Sequence, residues 1–376
     1  MQFRDLKKQY EALKPAIDSE IESVINNSAY ISGPQVKEFE EKLAAYTGMK
    51  HCISCGNGTD ALSMILMLWN VGPGDAVFVP DFTFFATGEV ASFEGATPIF
   101  VDVDERTFNI SPKKLEEAIE TVKKEGKLTP KVVIPVDLFG LPADYPAIQK
   151  IADKYGLKIL EDGAQGFGGR INGRPACSFG DAATTSFFPA KPLGCYGDGG
   201  AIFTNNDEDA GYLQSIRVHG KGDYKYDNVR IGWNSRLDTL QAAIMLPKLK
   251  AFEEYELDKV NESAAMYTSI LKNFVVTPYI PADFLSSWAQ YTIQLKTKEQ
   301  RDGLSDFLKS EGIPTMVYYP KPMHKQGAFA GLKQYQECPV TEKLCDTVLS
   351  IPMHPYLEEV DITRITECIK SFFMKE

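Results

Sequence analysis

Hydrophobic and polar positions follow two alternating periods from residue 36 onward. Apolar residues recur at helical spacing over residues 36–46, 60–69, 83–93 and 145–155. Gly48 ends the first of these helices, and a charged helix opens with Pro112 after Ser111, a residue type that favours the N-cap. Short apolar runs typical of buried strands lie at residues 52–54, 76–79, 98–103, 132–138, 158–160 and 184–188. Strands separated by helices predict an α/β fold with a mainly parallel sheet covered on both faces.

The last third of the chain has a different organisation. A long helical pattern runs over residues 236–272, and its single proline, Pro247, is expected to kink or divide it. A strand at 289–295 and helices at 299–310 and 359–373 indicate a smaller α/β domain. We therefore predict three parts: an N-terminal arm with a helix at 1–30, a large domain at 31–245, and a connecting helix with a small C-terminal domain at 246–376.

Composition and charge narrow the classes of function. Of the 376 residues, 44% are hydrophobic and 24% are charged, which is ordinary for a globular protein with a sizeable core. The 40 basic and 51 acidic residues give a net charge of −11, which argues against nucleic acid as a partner because phosphate backbones require clustered Lys and Arg. The N-terminus lacks the pattern of an export signal, and the longest apolar run, residues 62–69, is too short to span a bilayer. We expect a cytoplasmic protein that acts on small molecules.

The seven cysteines have no regular spacing and do not predict a disulfide framework. Cys52 and Cys55 form one C-x-x-C, which raises the alternative of a metal or redox protein. A structural zinc site needs four ligands, and no second cysteine pair supplies the other two. We therefore interpret both residues as small core thiols and predict no metal.

The stretch at residues 184–200 carries the most informative chemistry. It reads as a strand ending in Lys191, followed by a loop with four glycines. A lysine there can form an imine with an aldehyde cofactor, and its free amine can carry protons. Taken alone, Lys191 is more typical of an exposed lysine in a flexible loop; its companions in the sequence change that interpretation. An earlier apolar strand ends in Glu161-Asp162, and a carboxylate at that place can pair with a protonated pyridine nitrogen.

A second set of residues is suited to a phosphate group. Residues 56–60, Gly-Asn-Gly-Thr-Asp, lie between a predicted strand and an apolar helix. Backbone N–H groups at a helix N-terminus and the helix dipole both favour a dianion. Gly58, Thr59 and Asp60 are therefore candidate cofactor-binding residues, and Ser186 offers a further hydroxyl donor.

Several ordered motifs resemble the DegT/DnrJ/EryC1/StrS family of nucleotide-sugar aminotransferases nearly end to end. They lie at residues 30–40, 58–62, 161–165 (Glu-Asp-Gly-Ala-Gln), 186–191 (Ser-Phe-Phe-Pro-Ala-Lys), 232–243 and 319–324. The resemblance implies the type I fold of enzymes that depend on pyridoxal 5′-phosphate (PLP), with a seven-stranded, mainly parallel sheet and a smaller C-terminal α/β domain. It also implies a homodimer with shared active sites.

The resemblance implies a role for each matching residue. Lys191 would bond covalently to PLP and shuttle protons, and Asp162 would pair with the pyridine nitrogen. The other cofactor contacts would come from Gln165 and Phe84 beside the ring, from Gly58, Thr59 and Ser186 at the phosphate, and from Asn234 of a second subunit. The wall toward the sugar would contain Arg236, Tyr319 and His324. For Arg236 and His324 the alternatives are a helix-surface ion pair and a solvated loop residue.

The implied reaction is a ping-pong transamination. Glutamate would give its amino group to the cofactor and leave as 2-oxoglutarate, and a nucleotide-linked keto sugar would then accept the amine. Residues 52–62, 185–205 and 234–249 look most like enzymes that aminate C3 of UDP-2-acetamido-3-keto-glucuronic acid in O-antigen biosynthesis. Amination at C4 of a UDP- or dTDP-linked 4-keto-6-deoxy sugar is the alternative.

Two positions depart from the commoner family pattern, Gly163 where Ala is frequent and Phe167 where many members carry His. Neither departure removes a residue with an implied role. A lysine at position 191 argues against the dehydratase branch, in which that lysine is replaced. Lys191 and Asp162 together also argue against a non-catalytic regulatory protein. The nucleotide-sugar motifs argue against other PLP chemistry such as decarboxylation or elimination.

Overall fold

The computed structural model describes residues 1–224 and 226–375. The helices are α1 Leu6–Asn27, α2 Pro34–Thr47, α3 Gly58–Leu68, α4 Ala86–Phe93, α5 Pro112–Glu125, α6 Tyr145–Tyr155, α7 Asp207–Ile216, α8 Thr239–Ala251, α9 Leu257–Leu271, α10 Lys298–Ser310, α11 Pro339–Thr347 and α12 Glu359–Lys375. The strands are β1 His51–Cys55, β2 Asp75–Pro80, β3 Thr97–Val101, β4 Thr129–Val133, β5 Lys158–Asp162, β6 Arg170–Ile171, β7 Arg174–Pro175, β8 Ala182–Ser186, β9 Gly200–Thr204, β10 Phe284–Leu285, β11 Tyr291–Gln294 and β12 Val348–Ile351. The helices expected from the hydrophobic periodicity are present, with ends that differ by a few residues.

Seven strands form the central sheet in the order β1-β9-β8-β5-β4-β2-β3. Neighbouring strands run parallel from β8 to β3, and β9 runs antiparallel to both β8 and β1. The prediction of a mainly parallel, seven-stranded sheet in an α/β fold is therefore confirmed. Two smaller sheets, β10-β6-β7 and β11-β12, lie outside it in the described part of the chain.

The parallel strands β5 and β8 end side by side, and their register pairs Asp162 with Thr184. This places the end of β5 next to the loop that follows β8. Strand β4 is shorter than the predicted run at residues 132–138 and ends at Val133. The reason is that Pro135 has no N–H to donate. Beyond the strand, Ile134 N still donates to Phe78 O at 2.8 Å, and a bridge joins Val136 to Asp162.

Buried apolar side chains cover both faces of the sheet, and the C-x-x-C cysteines belong to different faces. Cys52 packs in the cluster that contains Phe39 and Phe187, whereas Cys55 packs in the cluster that contains Ile53. Residues three apart on a strand point to opposite faces, so the two thiols do not face a common ligand. Burial raises the pKa of both thiols, that of Cys55 to about 12. This geometry contradicts the metal or redox alternative built on these two residues.

The helical connection after residue 236 is interrupted, but not at its proline. Helix α8 continues through Pro247 to Ala251, and a five-residue π-helical turn, Phe252–Glu256, separates it from α9. The α-helix is therefore divided after Ala251 and not at Pro247. The buried neighbours Lys248 and Leu249 hold the helix against the core, and this packing outweighs the one hydrogen bond that proline removes.

Some elements had no clear signal in the hydrophobic pattern. Strand β9 and helix α7 were not predicted, nor were the two-residue strands of the β10-β6-β7 sheet. Helix α1 fits the expected N-terminal helix, and Asp5 caps it by accepting a hydrogen bond from Lys8 N at 2.9 Å. No helix in the described ranges is both long and apolar enough to cross a membrane.

Candidate active site

Lys191 lies in the loop that follows β8. That strand ends at Ser186, so the prediction of a strand that runs to residue 188 and ends in the lysine is wrong at this end. Pro189 has no N–H to continue the ladder, and the chain turns, with Lys191 N donating to Phe188 O at 2.8 Å. The lysine side chain is partly buried. Burial lowers the pKa of the Lys191 amine, and the charge of Asp162 opposes that change.

Asp162 is the last residue of β5 and is only 5% exposed. Its carboxylate accepts hydrogen bonds from Thr87 Oγ1 at 2.9 Å and from Ala164 N at 3.2 Å. Burial raises the pKa of Asp162, whereas these two hydrogen bonds and the charge of Lys191 lower it. Thr87 lies on α4 and was missed at the sequence level. An oriented, buried carboxylate of this kind can hold a cationic ring nitrogen.

Glu161, next in sequence, is engaged elsewhere. Its carboxylate oxygens accept from the N–H groups of Cys177 at 2.5 Å and Phe179 at 2.6 Å. Asp137 acts on this carboxyl by its charge and accepts from Tyr145 Oη at 2.8 Å, and both acids are fully buried. Burial first, and then their mutual repulsion, raises the pKa of Glu161, and burial likewise raises the pKa of Asp137. Both shifts favour the protonated form of the acid.

The N-terminus of α3 forms a cup beside Ser186. Asn57 caps the helix by accepting from Asp60 N at 2.8 Å, and Gly58 and Thr59 form its first residues. A Cβ atom added at Gly58 would lie 2.8 Å from Ser186 Cβ, so glycine is needed for the helix to approach this closely. Backbone N–H groups at a helix start and an adjacent hydroxyl are the donors that a phosphate dianion requires.

The carboxylate of Asp60 is occupied within the protein. Ser235 Oγ donates to Asp60 Oδ2 at 2.6 Å and accepts from Gly56 N at 2.8 Å. Ser235 therefore ties together the two ends of the turn. A carboxylate repels a phosphate dianion, so this contact suits Asp60 to positioning the cup rather than touching the anion. Sequence reasoning missed Ser235, although it lies between the candidates Asn234 and Arg236.

Gln165, Phe84 and Tyr319 are brought together above this edge of the sheet. Gln165 Nε2 donates to Tyr319 Oη at 3.1 Å, and Gln165 Oε1 accepts from Phe139 N at 2.9 Å, which fixes the amide. The rings of Phe84 and Tyr319 lie 6.5 Å apart. Phe84 is 55% exposed, so its face is available to a planar ligand instead of serving as core packing.

His324 lies at the margin of this group, with both ring nitrogens near carboxylates. Nδ1 lies 2.6 Å from Asp81 Oδ2, and Nε2 lies 3.3 Å from Glu342 Oε1. Its backbone N–H also donates to Asp81, at 2.8 Å. The hydrogen bond to Asp81 raises the pKa of His324, although partial burial acts in the opposite direction. These contacts favour a role in holding the 319–326 loop, and a role toward the sugar stays a prediction.

Asn234 and Arg236 lie beside the cup. Asn234 is exposed and forms a bridge with Val218, and Arg236 donates from Nη2 to its side-chain oxygen. The intervening Ser235 connects this segment to the cup. Among the described residues, Arg236 makes no ion pair of the kind considered as its alternative, and its partner is the neutral amide of Asn234.

The arrangement as a whole fits a phosphorylated aldehyde cofactor with a ring nitrogen. A partly buried amine, a buried carboxylate, a glycine-lined helix start and an exposed aromatic face lie on four different elements that meet at one sheet edge. In open α/β sheets, ligands bind outside the carboxyl ends of the strands, which is this edge. The fold and the site therefore define a PLP-dependent enzyme of the type I class.

Comparisons with known proteins identify the family. Residues 11–370 match the model of the DegT/DnrJ/EryC1/StrS aminotransferase family. The UDP-2-acetamido-2-deoxy-3-oxo-D-glucuronate aminotransferase of Pseudomonas aeruginosa is 47% identical over 96% of this chain and 97% of its own length. A pleiotropic regulatory protein of Geobacillus stearothermophilus is 44% identical over 98% and 97%. The solved structure of a DegT DnrJ EryC1 StrS aminotransferase from Brucella abortus is 50% identical, covers 99% of both chains and superposes with a TM-score of 0.96.

The chain belongs to the DegT/DnrJ/EryC1/StrS aminotransferase family. It is a nucleotide-sugar aminotransferase, and its cofactor is PLP. The resemblance inferred from the sequence motifs is confirmed. The roles of individual site residues remain predictions, which the contacts described above make specific.

Proposed function

We propose that this enzyme aminates C3 of UDP-2-acetamido-2-deoxy-3-oxo-glucuronic acid, with glutamate as the amino donor. The observation that carries this proposal is the near-complete, 47% identical match to the Pseudomonas aeruginosa aminotransferase that is named for this substrate. The proposal extends to a cytoplasmic homodimer that supplies a diamino-uronic acid for O-antigen or another surface polysaccharide. It includes the three-part division of the chain at residues 30 and 245.

The residues of the site support this reaction through distinct tasks. PLP supplies an electron sink for the bonds that are made and broken at the amino-bearing carbon. Lys191 provides the covalent anchor and, once free, moves the proton at that carbon; its lowered pKa favours the neutral amine that this step needs. Asp162 would hold the ring nitrogen in its protonated form. The hydrogen bonds from Thr87 and Ala164 fix the carboxylate of Asp162 and would keep it ready for that contact.

The remaining residues bind and orient. The start of α3 with Ser186 would hold the phosphate, and Phe84 and Gln165 would confine the ring between an aromatic face and a fixed amide. Asn234 would complete the phosphate site of the neighbouring subunit. Tyr319 and Arg236 would contact the sugar nucleotide.

The test is a half-reaction experiment with purified enzyme. Glutamate should remove the absorbance band of lysine-bound PLP, and the UDP-3-oxo-glucuronate substrate should restore it with formation of a 3-amino product of the expected mass. Lys191→Ala should abolish the exchange, and Lys309→Ala, at an exposed helix position, should not. Restoration by a 4-keto-6-deoxy sugar nucleotide but not by the 3-oxo-uronate would favour the C4 alternative.

A non-catalytic role is the second candidate, because one relative at 44% identity is named a regulatory protein. The chain itself provides the argument against it, since both Lys191 and Asp162 are present and lie in one site. Wild-type protein that takes up PLP but exchanges no amino group with glutamate would favour the regulatory function.

A further inference from the structure

Two cationic side chains donate to the main chain of the Lys191 loop. Arg4 Nη2 donates to the carbonyl oxygen of Lys191 at 2.8 Å and to that of Pro192 at 3.2 Å. Lys248 Nζ donates to the carbonyl oxygen of Gly194, and its residue is only 1% exposed. Three carbonyls within four residues are therefore held by charge-assisted hydrogen bonds from the N-terminal segment and from α8.

Glu256 is a buried carboxylate whose charge acts on both Arg4 and Lys248. It is 2% exposed and lies in the π-helical turn between α8 and α9. Gln9 Nε2 donates to its oxygens at 2.9 and 3.2 Å, and Tyr356 Oη donates at 2.6 Å. Neutral donors already satisfy the carboxylate, so the two cations remain free to face the loop carbonyls.

Two cationic groups, Arg4 and Lys248, are influenced by one buried carboxylate, that of Glu256. Burial lowers the pKa of Arg4 to about 10 and that of Lys248 to about 8, and Glu256 opposes both changes. His354, also buried, has its pKa lowered to about 4 by burial and then by Arg4, so it adds no charge near neutral pH. The other ionisable neighbours of Lys248, Cys195 and Tyr196, are uncharged at that pH because burial raises their pKa.

We propose that Arg4 and Lys248 are positioning residues for the transamination: they fix the backbone of the Lys191 loop, and Arg4 brings a positive charge to the main chain of the lysine itself. The charge of Arg4 acts against that of Asp162, which attracts a proton to the amine. The positive charge of Arg4 lowers the pKa of Lys191. The inference rests on the proposed role of Lys191 in the reaction.

The test measures the amine in protein freed of PLP, so it needs no sugar substrate. Trace acetylation with isotope-labelled acetic anhydride, followed by mass spectrometry of the Lys191 peptide, gives the labelling rate as a function of pH. Arg4→Gln should shift this profile upward by half to one pH unit, which lowers the rate about threefold to tenfold at a fixed pH below the midpoint. Arg4→Lys keeps the charge and should preserve the midpoint.

A matched control is Arg364→Gln, because Arg364 also donates to a backbone carbonyl, that of Glu311 at 2.6 Å, at an exposed position. The control should leave the Lys191 profile unchanged. An unshifted midpoint in Arg4→Gln, or an equal shift in Arg4→Lys, would overturn the role of the charge.

Hydrogen exchange tests the mechanical role separately. The amides of Lys191 and Cys195 donate to Phe188 O and Phe187 O within the loop, both at 2.8 Å. Lys248→Met and Arg4→Gln should each increase exchange at these amides about tenfold while exchange in the β5 core stays as in wild type. Unchanged loop exchange in both variants would overturn the role in fixing the backbone. If labelling and exchange respond as expected but no keto sugar is aminated, the proposed substrate fails and this inference stands.

Discussion

At the residue scale, the charge of Asp162 depends on a competition that one substitution can shift. Burial favours the protonated acid, while Thr87, Ala164 and Lys191 favour the carboxylate. We expect Asp162→Asn to retain PLP but to lose about 10²-fold or more in kcat, because an amide does not stabilise a protonated ring nitrogen. Steady-state kinetics with glutamate, together with the PLP content of the variant, measure this effect.

Thr87→Val tests the same carboxylate by a milder change, because it leaves Asp162 in place. It removes one hydrogen bond to Asp162 Oδ2 and keeps the side-chain shape. Because this bond lowers the pKa of Asp162, its loss should raise that pKa, reduce kcat about tenfold and move the acid limb of the pH–rate profile to higher pH. Near wild-type kcat in Asp162→Asn would contradict the role of this carboxylate.

The buried pair of Asp137 and Glu161 predicts how stability depends on pH. Both carboxyls have a raised pKa in the folded protein, so the folded state keeps a proton that the unfolded chain releases above about pH 4. The free energy of unfolding should therefore fall as pH rises above that value. Asp137→Asn should flatten the fall, because an amide at this position does not ionise at any pH. Urea unfolding at a series of pH values tests this, with the exposed Asp306→Asn as the control; an equal slope in both variants would refute it.

The predictable residues of the site are those that carry a local signal. Lys191 and Asp162 stand beside strand ends in recognisable motifs, so sequence alone could single them out as candidates. Thr87 and Ser235 could not be assigned in this way. Their partners lie 75 and 175 residues away, and only the packing of the sheet brings those side chains into contact.

At the element scale, the cup depends on how closely α3 approaches the end of β8. Gly58→Ala would place a Cβ 2.8 Å from Ser186 Cβ, and the two elements would have to separate. We expect a loss of about 1 to 3 kcal/mol in PLP binding, because the helix N–H groups and the Ser186 hydroxyl would no longer reach one phosphate. Titration of the PLP-free variant by absorbance or calorimetry measures it.

Gly211→Ala supplies the matched control. Gly211 is also a helical glycine, in α7, and no atom lies within 4 Å of its added Cβ. This substitution should leave PLP affinity unchanged and raise stability slightly, by up to about 1 kcal/mol, through helix propensity. Equal PLP affinity in the two variants would show that the close approach at Gly58 does not matter.

Element types were more predictable than element ends. The helices begin at caps and N-terminal prolines that the sequence displays, as at Ser111 and Pro112. The ends of β4 and β8 were set by Pro135 and Pro189, whose missing N–H groups shorten the strands below the apolar run. The break after α8 had no local signal, because buried packing and not Pro247 determines where that helix changes.

At the scale of the whole molecule, the parallel sheet explains why separate motifs form one site. Alternating elements predicted the sheet, and the sheet brings the ends of β5 and β8 together. The return of the N-terminal segment to the loop of Lys191, 187 residues away from Arg4, was beyond prediction from a local pattern. The long-range contacts of Arg4 and Lys248 show that the first residues and α8 help to form the site.

The proposed site needs a homodimer, because Asn234 of one subunit would complete the phosphate site of the other. Three large apolar side chains, Tyr224, Val229 and Ile231, are 76%, 54% and 81% exposed, close in sequence to the predicted intersubunit residue Asn234. Such a patch is typical of a surface that a second copy covers. If Asn234 serves the neighbouring subunit, Lys191→Ala and Asn234→Ala lie in different chains of each shared site.

Co-expression of these two inactive variants should therefore restore activity. In a hybrid dimer both substitutions would fall on the same site and leave the other intact, so random assembly should return about a quarter of the wild-type activity. The variants expressed singly, and a double variant co-expressed with inactive Lys191→Ala, should stay inactive. Sedimentation checks that dimers form in each case. Inactive hybrids in a confirmed dimer would mean that Asn234 acts in its own subunit, since each chain would then carry one damaged site.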